Sequence, residues 1–170
     1  MRQYLRCGIF FMCALMFIRH VQGAANPLPR GFAPAGTLQR YGLPERKAAN
    51  GSIFDYMDGG GIVYLDHGFQ ELVHLEFTDP HARRITFDRF SMETAAQALT
   101  VLADERIAPA GGRPLPLGAP NKAYRCPPDY FIYMVLDKSL VYLHVDDDAL
   151  AEILDQFAAA ILKFPREGKE

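Results

Sequence analysis

QELVHLEFTDPHARRITFDRFSM, residues 70–92, is the stretch that decides the fold. At its start Val73, Leu75 and Phe77 alternate with polar residues, which is the period of two expected of a strand with one solvent-facing side. The Asp-Pro-His-Ala sequence at 79–82 then supplies turn residues. The chain is therefore expected to reverse and continue as a second strand.

The second strand, predicted at residues 84–92, has an irregular pattern. Its apolar residues change parity after Phe87. A β-bulge near Asp88 and Arg89 would reconcile the two halves, because a bulge inserts one extra residue into a strand.

A helix is predicted at residues 93–106. Thr94 and Gln97 stand three apart, as the partners of a capping box do. The side chains expected on its apolar stripe are Ala95, Ala98, Leu99 and Leu102.

A hairpin and a final helix are predicted in the last third of the chain. Residues 130–136 and 140–145 are aromatic and β-branched runs around a short polar turn, which predicts a hairpin. Apolar residues recur at helical spacing over 150–164. The acids at 146–148 precede this helix, where carboxylates cap free amides; calcium binding is the alternative interpretation of three acids in a row.

These elements predict an α+β domain, with a mainly antiparallel sheet of four or more strands and helices packed on one face. The other face is expected to be partly open. The predicted organisation is a signal peptide at 1–23, a Pro/Gly/Ala-rich linker at 24–37, a single domain at 38–164 and a polar tail at 165–170.

The signal peptide predicts an exported chain, periplasmic or extracellular, with no membrane span after cleavage. The predicted signal contains three arginines and no acid, so its removal leaves an acidic chain, which argues against nucleic acid as a partner. Cys126 is the cysteine that remains, so no internal disulfide is expected. Residues 108–122 predict a long loop.

Three consecutive glycines follow Asp58 in the segment FDYMDGGGIVYLDHGF, residues 54–69. A phosphate loop is not indicated, because 59–68 lacks Lys, Ser and Thr, and Tyr64 stands where the dinucleotide fingerprint needs glycine. We instead predict a short helix capped by Asn50 or Ser52 and a second turn capped by Asp58. The glycines would let this segment bend, or pack closely against neighbouring main chain.

The helical turn after the glycines is expected to stop at Gly68. This glycine is placed to adopt the left-handed conformation, with Phe69 packing back against the turn.

The same segment resembles a family of uncharacterised exported bacterial proteins. The matching residues fit the motif Tyr-x-Asn/Asp-Gly-Gly-x-x-x-Tyr-Leu-x-x-Gly-Phe and are Tyr56, Asp58, Gly59, Gly60, Tyr64, Leu65, Gly68 and Phe69. Element order is similar over roughly 45–164. The chain departs from the family at Asp58, usually asparagine, at Gly61, commonly alanine, and at Leu99, often glycine. The resemblance implies where a site would lie and which fold to expect, but it implies no reaction.

The predicted function is a non-enzymatic binding or interaction module of the cell envelope, with a protein or small-molecule partner. No catalytic residue, metal or cofactor is assigned. The site is predicted in the glycine segment beneath the loop at 108–122, and its candidate binding residues are Asp58, Gly59, Gly60, Tyr64 and His67.

Two other functions stay open at this point. One is a small metal-dependent or hydrolytic enzyme using histidines and acids around 58–76; His74 and His144 could meet across the sheet near Glu76 to hold zinc or haem. The other is a structural subunit of an envelope complex, which a broad apolar sheet face and a co-purifying partner would distinguish. An exposed aromatic strip on the strands could bind an apolar ligand or a partner, or its rings could simply pair to stabilise the sheet. Cys126 has no base near it in sequence, which favours an inert thiol over a nucleophile.

Overall fold

The computed structural model describes Leu28 and residues 31–163. The predicted signal peptide and polar tail lie outside the described residues. Within the described part, the strands are β1 (Ala33–Tyr41), β2 (Phe69–Thr78), β3 (Arg84–Met92), β4 (Arg113–Pro116), β5 (Lys122–Cys126), β6 (Asp129–Leu136) and β7 (Ser139–Val145). The helices are α1 (Ile53–Met57), α2 (Ile62–Leu65), α3 (Ala95–Ala103) and α4 (Ala151–Lys163), with 3-10 turns at Asp58–Gly61, Glu105–Ile107 and Asp148–Leu150.

The strands form one antiparallel sheet in the order β1-β2-β3-β7-β6-β5-β4. The hairpins β2–β3 and β6–β7 are those predicted, and they join through the β3–β7 pair at the centre. The α+β class with a mainly antiparallel sheet is confirmed.

The predicted bulge at Asp88 and Arg89 is wrong. Pairing between β2 and β3 runs without a break from Glu71 opposite Ser91 to Thr78 opposite Arg84, and the irregularity lies before Glu71. The change of parity has another cause: residues on both faces of β3 are buried. A strand buried on both faces carries apolar residues at odd and even positions without a bulge.

Helices cover both faces of the sheet, so the prediction of helices on one face is wrong. Helix α4 packs on the face that carries Ile85, Ile132 and Leu143. Helices α1 to α3 pack on the opposite face, over Phe90 and Leu140. Strands β6 and β7 carry nearly continuous apolar runs because each of their faces has its own core.

Helix α3 begins as predicted, but the face that it buries differs from the predicted apolar stripe. The capping box is present, with the Gln97 N–H donating to the Thr94 hydroxyl. The buried side chains are Ala98, Val101 and Leu102, whereas Leu99 is 46% exposed. The helix ends at Ala103, where Asp104 turns the chain into a 3-10 segment.

Two segments predicted as linker or loop contain strands. The sheet begins at Ala33, so residues 33–37 of the predicted linker belong to β1. Strand β4, Arg113–Pro116, lies inside the predicted loop and pairs with β5. Both strands are at the sheet edges, where proline is tolerated because one side of the strand needs no ladder donor.

The last helix agrees with the prediction as far as the described residues reach. Asp147 accepts a hydrogen bond from the amide of Ala149 at 2.9 Å, which confirms capping at this end. Leu154, Phe157 and Ile161 are buried against the sheet.

Candidate functional site

The predicted site segment links α1 to α2 through a 3-10 turn. The capping box at Ser52 is present: the Asp55 carboxylate accepts from the Ser52 amide at 2.7 Å. Asp58 does not cap the next turn, because its carboxylate bonds to no described residue. Its backbone instead adopts φ 45° and ψ −134°, a conformation that a residue with a Cβ rarely takes.

The three glycines differ in their surroundings. Gly59 and Gly60 are exposed, and a Cβ added at Gly59 would meet nothing within 4 Å. Gly61 is buried, and its Cβ would lie 3.1 Å from Ile53 and 3.3 Å from Phe54. Of the three glycines, only Gly61 is closely packed as predicted. The atoms it packs against belong to side chains, whereas main chain was predicted. Gly68 closes the turn that follows α2 and has φ 78°, the left-handed conformation predicted for it.

Tyr64 and His67 lie in packed surroundings, unlike the exposed glycines. The Tyr64 ring is buried and stacks on Phe90 with centroids 3.9 Å apart. His67 Nε2 lies 2.9 Å from an Asp104 oxygen, and Arg106 also binds Asp104. Of the five predicted residues, the surface therefore exposes Asp58, Gly59 and Gly60, while Tyr64 and His67 hold the segment to β3 and to the end of α3.

We expect Asp58→Gly to raise the free energy of unfolding by about 1 kcal/mol. Glycine removes a backbone strain of roughly 1–3 kcal/mol, but part of this gain is offset because glycine loses more conformational entropy on folding. Asp58→Ala keeps the strain and should give no gain. Urea unfolding of the two variants measures the difference. Equal stabilities would show that the backbone at this position is unstrained.

A network that the sequence analysis missed joins α1 to the sheet. The Tyr56 hydroxyl donates to Asp88 Oδ2 at 2.8 Å, and His74 Nδ1 lies 2.7 Å from Asp88 Oδ1. His74 Nδ1 is also 3.0 Å from the Tyr56 oxygen. The Asp88 side chain is only 3% exposed and that of His74 12%. The signals available were Tyr56 in the motif and a polar Asp88 within an apolar strand.

The buried Asp88 carboxylate shifts the pKa values of His74 and Tyr56. The hydrogen bond to Asp88 raises the pKa of His74, against the lowering effect of burial. Burial, reinforced by the negative charge of Asp88, raises the pKa of Tyr56 far above its usual value. Asp88 thus favours the cationic form of His74, and it accepts the hydrogen bond that the Nδ1–H group donates.

This pair predicts a specific pH dependence. A histidine whose folded pKa lies above its unfolded value of 6.5 stabilises fully below that value, and the contribution is lost as pH rises through the folded pKa. We expect stability to fall as pH rises from mildly acidic through that folded pKa. His74→Gln should remove this slope in urea unfolding at stepped pH. An unchanged slope in the variant would assign it to another group.

His144 forms a separate pair with a different carboxylate. Its Nε2 lies 2.7 Å from Asp129 Oδ1, and its ring stacks on Phe131 at 4.7 Å. Strand β3 separates it from His74, since Thr86 is opposite His144 and Asp88 is opposite His74. The expected meeting of the two histidines is wrong, and no group of three metal-type ligands occurs among the described residues.

Part of the sheet face under α1 to α3 is left open to solvent. The strand register places four partly exposed residues side by side, here called the open row: Glu76, Thr86, His144 and Phe131. Two shallow hollows, of about 260 and 220 Å³, flank Glu76. The first is lined by His74 and the bulged part of β1, and the second by Arg84, Thr86, His144 and Asp146. The row lies on a face that helices partly cover, whereas the open face was expected to be free of helices.

Cys126 lies at the end of β5. Its Sγ is 3.7 Å from the carbonyl oxygen of Ala110 and is partly exposed. No histidine or acid of the described residues bonds to it, so the geometry offers the thiol no base.

Comparisons with known proteins return one distant likeness of fold. No protein-family model matches the chain, and no curated protein matches it. Its fold is similar to the crystal structure of the extracellular domain of PknH from Mycobacterium tuberculosis, with a TM-score of 0.45 and 10% identity over 86% of this chain and 90% of that one. Among the described residues no helix is long and apolar enough to cross a membrane.

Proposed function

We propose that the chain is an exported, non-enzymatic binding or interaction module of the cell envelope, and that the open row is its contact surface. The observation that carries the proposal is this row itself. The neighbouring part of the same sheet face, around Phe90 and Leu140, is buried under helices, whereas Glu76, Thr86, His144 and Phe131 remain partly exposed beside two hollows. An aromatic ring with polar groups at its rim is the composition of contact surfaces.

The chemistry of the row favours a partner with a cation or a flat apolar group. Glu76, Asp129 and Asp146 provide carboxylates around the stacked Phe131 and His144 rings. Asp129 is bonded to His144, while Glu76 lies 3.9 Å from Arg84. Glu76 and Asp146 are therefore the acids most available to an approaching cation.

We place the glycine segment at the border of this contact surface. Tyr56, two residues before Asp58, contacts His74, which lies on the same face of β2 as Glu76. Asp58, Gly59 and Gly60 are exposed at this end of α1 and are proposed as additional contact residues. Tyr64 and His67 would contribute by holding the segment in place.

Site-specific crosslinking tests the proposal. A photo-reactive amino acid is placed at Thr86 in the open row and, as the matched control, at Glu152, an exposed position of α4 on the other face. In envelope extract of the producing cells, Thr86 should give a discrete adduct that excess unlabelled protein competes away. The same adducts from both positions, or none from Thr86, would contradict the proposal.

An enzymatic function has one observation in its favour. Asp88 orients His74, whose Nε2 has no partner among the described residues and whose ring lines a hollow. The enzyme predicted from the sequence would instead combine His67 with His74, and these two histidines bond to different carboxylates, Asp104 and Asp88. A hydrolytic activity abolished by His74→Gln but not by His67→Gln would favour this function.

A structural subunit of an envelope complex would use the same surface. It differs from a binding module in stoichiometry, because a subunit would be recovered almost entirely in its complex. The size distribution of the Thr86 adduct distinguishes the two.

A further inference from the structure

We propose that Asp58 and Gly59 form a self-modification site, at which the main chain closes a succinimide ring and reopens to an isoaspartyl linkage. The reaction requires no enzyme and no partner other than water. It is independent of the proposed binding function. Its evidence is the backbone conformation of Asp58, the freedom of its carboxyl group and the contrast with a second site of the same type.

The backbone of Asp58 already has the geometry of the ring. A succinimide joins Cγ, Cβ, Cα, C and the nitrogen of the next residue, so Cβ and that nitrogen must be nearly eclipsed about the Cα–C bond. The ψ of −134° at Asp58 brings an L-residue to within about 15° of this arrangement. Helical ψ near −42° or extended ψ near +135° holds the same atoms far from eclipsed.

The reacting groups are unobstructed. The Asp58 carboxylate forms no hydrogen bond or ion pair with the described residues, and Asp58 is exposed. Gly59 is also exposed and has no side chain to shield its nitrogen, with nothing within 4 Å of the place where a Cβ would be. Attack on the carboxyl carbon therefore needs a side-chain rotation and little movement of the main chain.

The chemistry balances with one water lost and one regained. The nitrogen of Gly59 gives up its proton and bonds to Cγ of Asp58, while the acid form of the carboxyl group releases its hydroxyl as water. Water then opens the ring at one of its two carbonyl carbons. Opening at Cγ restores aspartate, and opening at the main-chain carbon leaves the chain running through Cβ and Cγ.

Asn50 and Gly51 form a second site of this type, but in the folded chain hydrogen bonds fix both residues. The Asn50 side-chain oxygen accepts from the Arg40 amide at 2.8 Å, and the Asn50 amide donates to Arg40 at 2.9 Å. The attacking nitrogen of Gly51 donates to Ala48 at 3.1 Å. In an unfolded chain asparagine cyclises faster than aspartate at neutral pH, because an amide can release ammonia, whereas an aspartate carboxylate must first be protonated before it can release water. Folding should therefore reverse the order of the two sites.

Ageing of the purified full chain tests this reversal. Folded protein and protein in urea are incubated side by side at neutral pH, and isoaspartate is located by peptide mapping with electron-transfer fragmentation. In the folded protein isoaspartate should appear at position 58 and be several-fold less abundant at position 50. In urea position 50 should dominate. Isoaspartate at 50 equal to or above that at 58 in the folded protein would overturn the proposal.

Two variants test the chemistry itself. Gly59→Ala places a methyl group beside the attacking nitrogen, in space that is empty, and should suppress the product several-fold without unfolding the chain. Asp58→Asn should accelerate it several-fold in the folded state and add the mass change of deamidation. An isoaspartate yield unaffected by Gly59→Ala would show that the nitrogen of Gly59 is not the nucleophile.

Discussion

Replacing Asp88 with alanine is expected to lower the free energy of unfolding by about 3–5 kcal/mol, the loss typical when one partner of a buried ion pair is removed. Asp88 is the shared acceptor of the Tyr56 hydroxyl and the His74 ring. Without it, a nearly buried imidazole and a phenol lose their partner at the point where α1 meets the sheet. Urea unfolding followed by circular dichroism measures the loss.

The exposed histidine pair supplies the control for this prediction. Asp129 binds His144 at the same 2.7 Å, but the two side chains are 35% and 22% exposed. Asp129→Ala should therefore cost about 1 kcal/mol or less, as for solvent-screened pairs. If Asp88→Ala costs no more than Asp129→Ala, the Asp88 network does not hold α1 to the sheet.

Replacing Phe157 with alanine is expected to cost about 3–5 kcal/mol, the usual loss for a buried phenylalanine. The ring is 4% exposed and meets Phe77 edge to face at 5.6 Å, with Phe87 at 6.5 Å. It is the aromatic anchor of α4 on its face of the sheet, so the variant measures the strength of this second layer.

Leu162 provides the comparison on the same helix. Its side chain is 39% exposed, so Leu162→Ala should change stability by about 0.5 kcal/mol or less. Equal effects at Phe157 and Leu162 would contradict the packing of α4 against Phe77 and Phe87.

Elements with a strong local pattern could be predicted from the sequence. Helix α4 and the β6–β7 hairpin carry a repeating apolar period and a distinct turn, and both are present. Strands β1 and β4 were missed because β1 begins with Ala-Pro-Ala-Gly and β4 is Arg-Pro-Leu-Pro. Proline is acceptable in both strands because they lie at the sheet edges.

The placement of helices on both faces could not be predicted from local pattern. The parity change in β3 has two explanations, a bulge or burial on both sides, and the choice depends on where α3 and α4 pack. The same reasoning applies to α3, where Val101 and not Leu99 faces the sheet.

The site was predicted only in part for a similar reason. Tyr56 and Asp88 are 32 residues apart, and His74 lies between them in sequence, so no spacing rule connects them. Tyr64 stands out in the motif, yet it is a core residue stacked on Phe90. A motif of aromatic and glycine residues does not distinguish surface from core until the packing of its helix is known.

Carbethoxylation of histidines tests most directly whether the open row is the contact surface. His144 and His67 are matched: each binds a carboxylate through Nε2, and their side chains are 22% and 19% exposed. His144 lies in the open row, and His67 lies in the predicted site segment. With envelope extract present, our account expects His144 to be protected and His67 to react as in the purified protein. Protection of His67 with unchanged reactivity of His144 would place the contact on the glycine segment and contradict it.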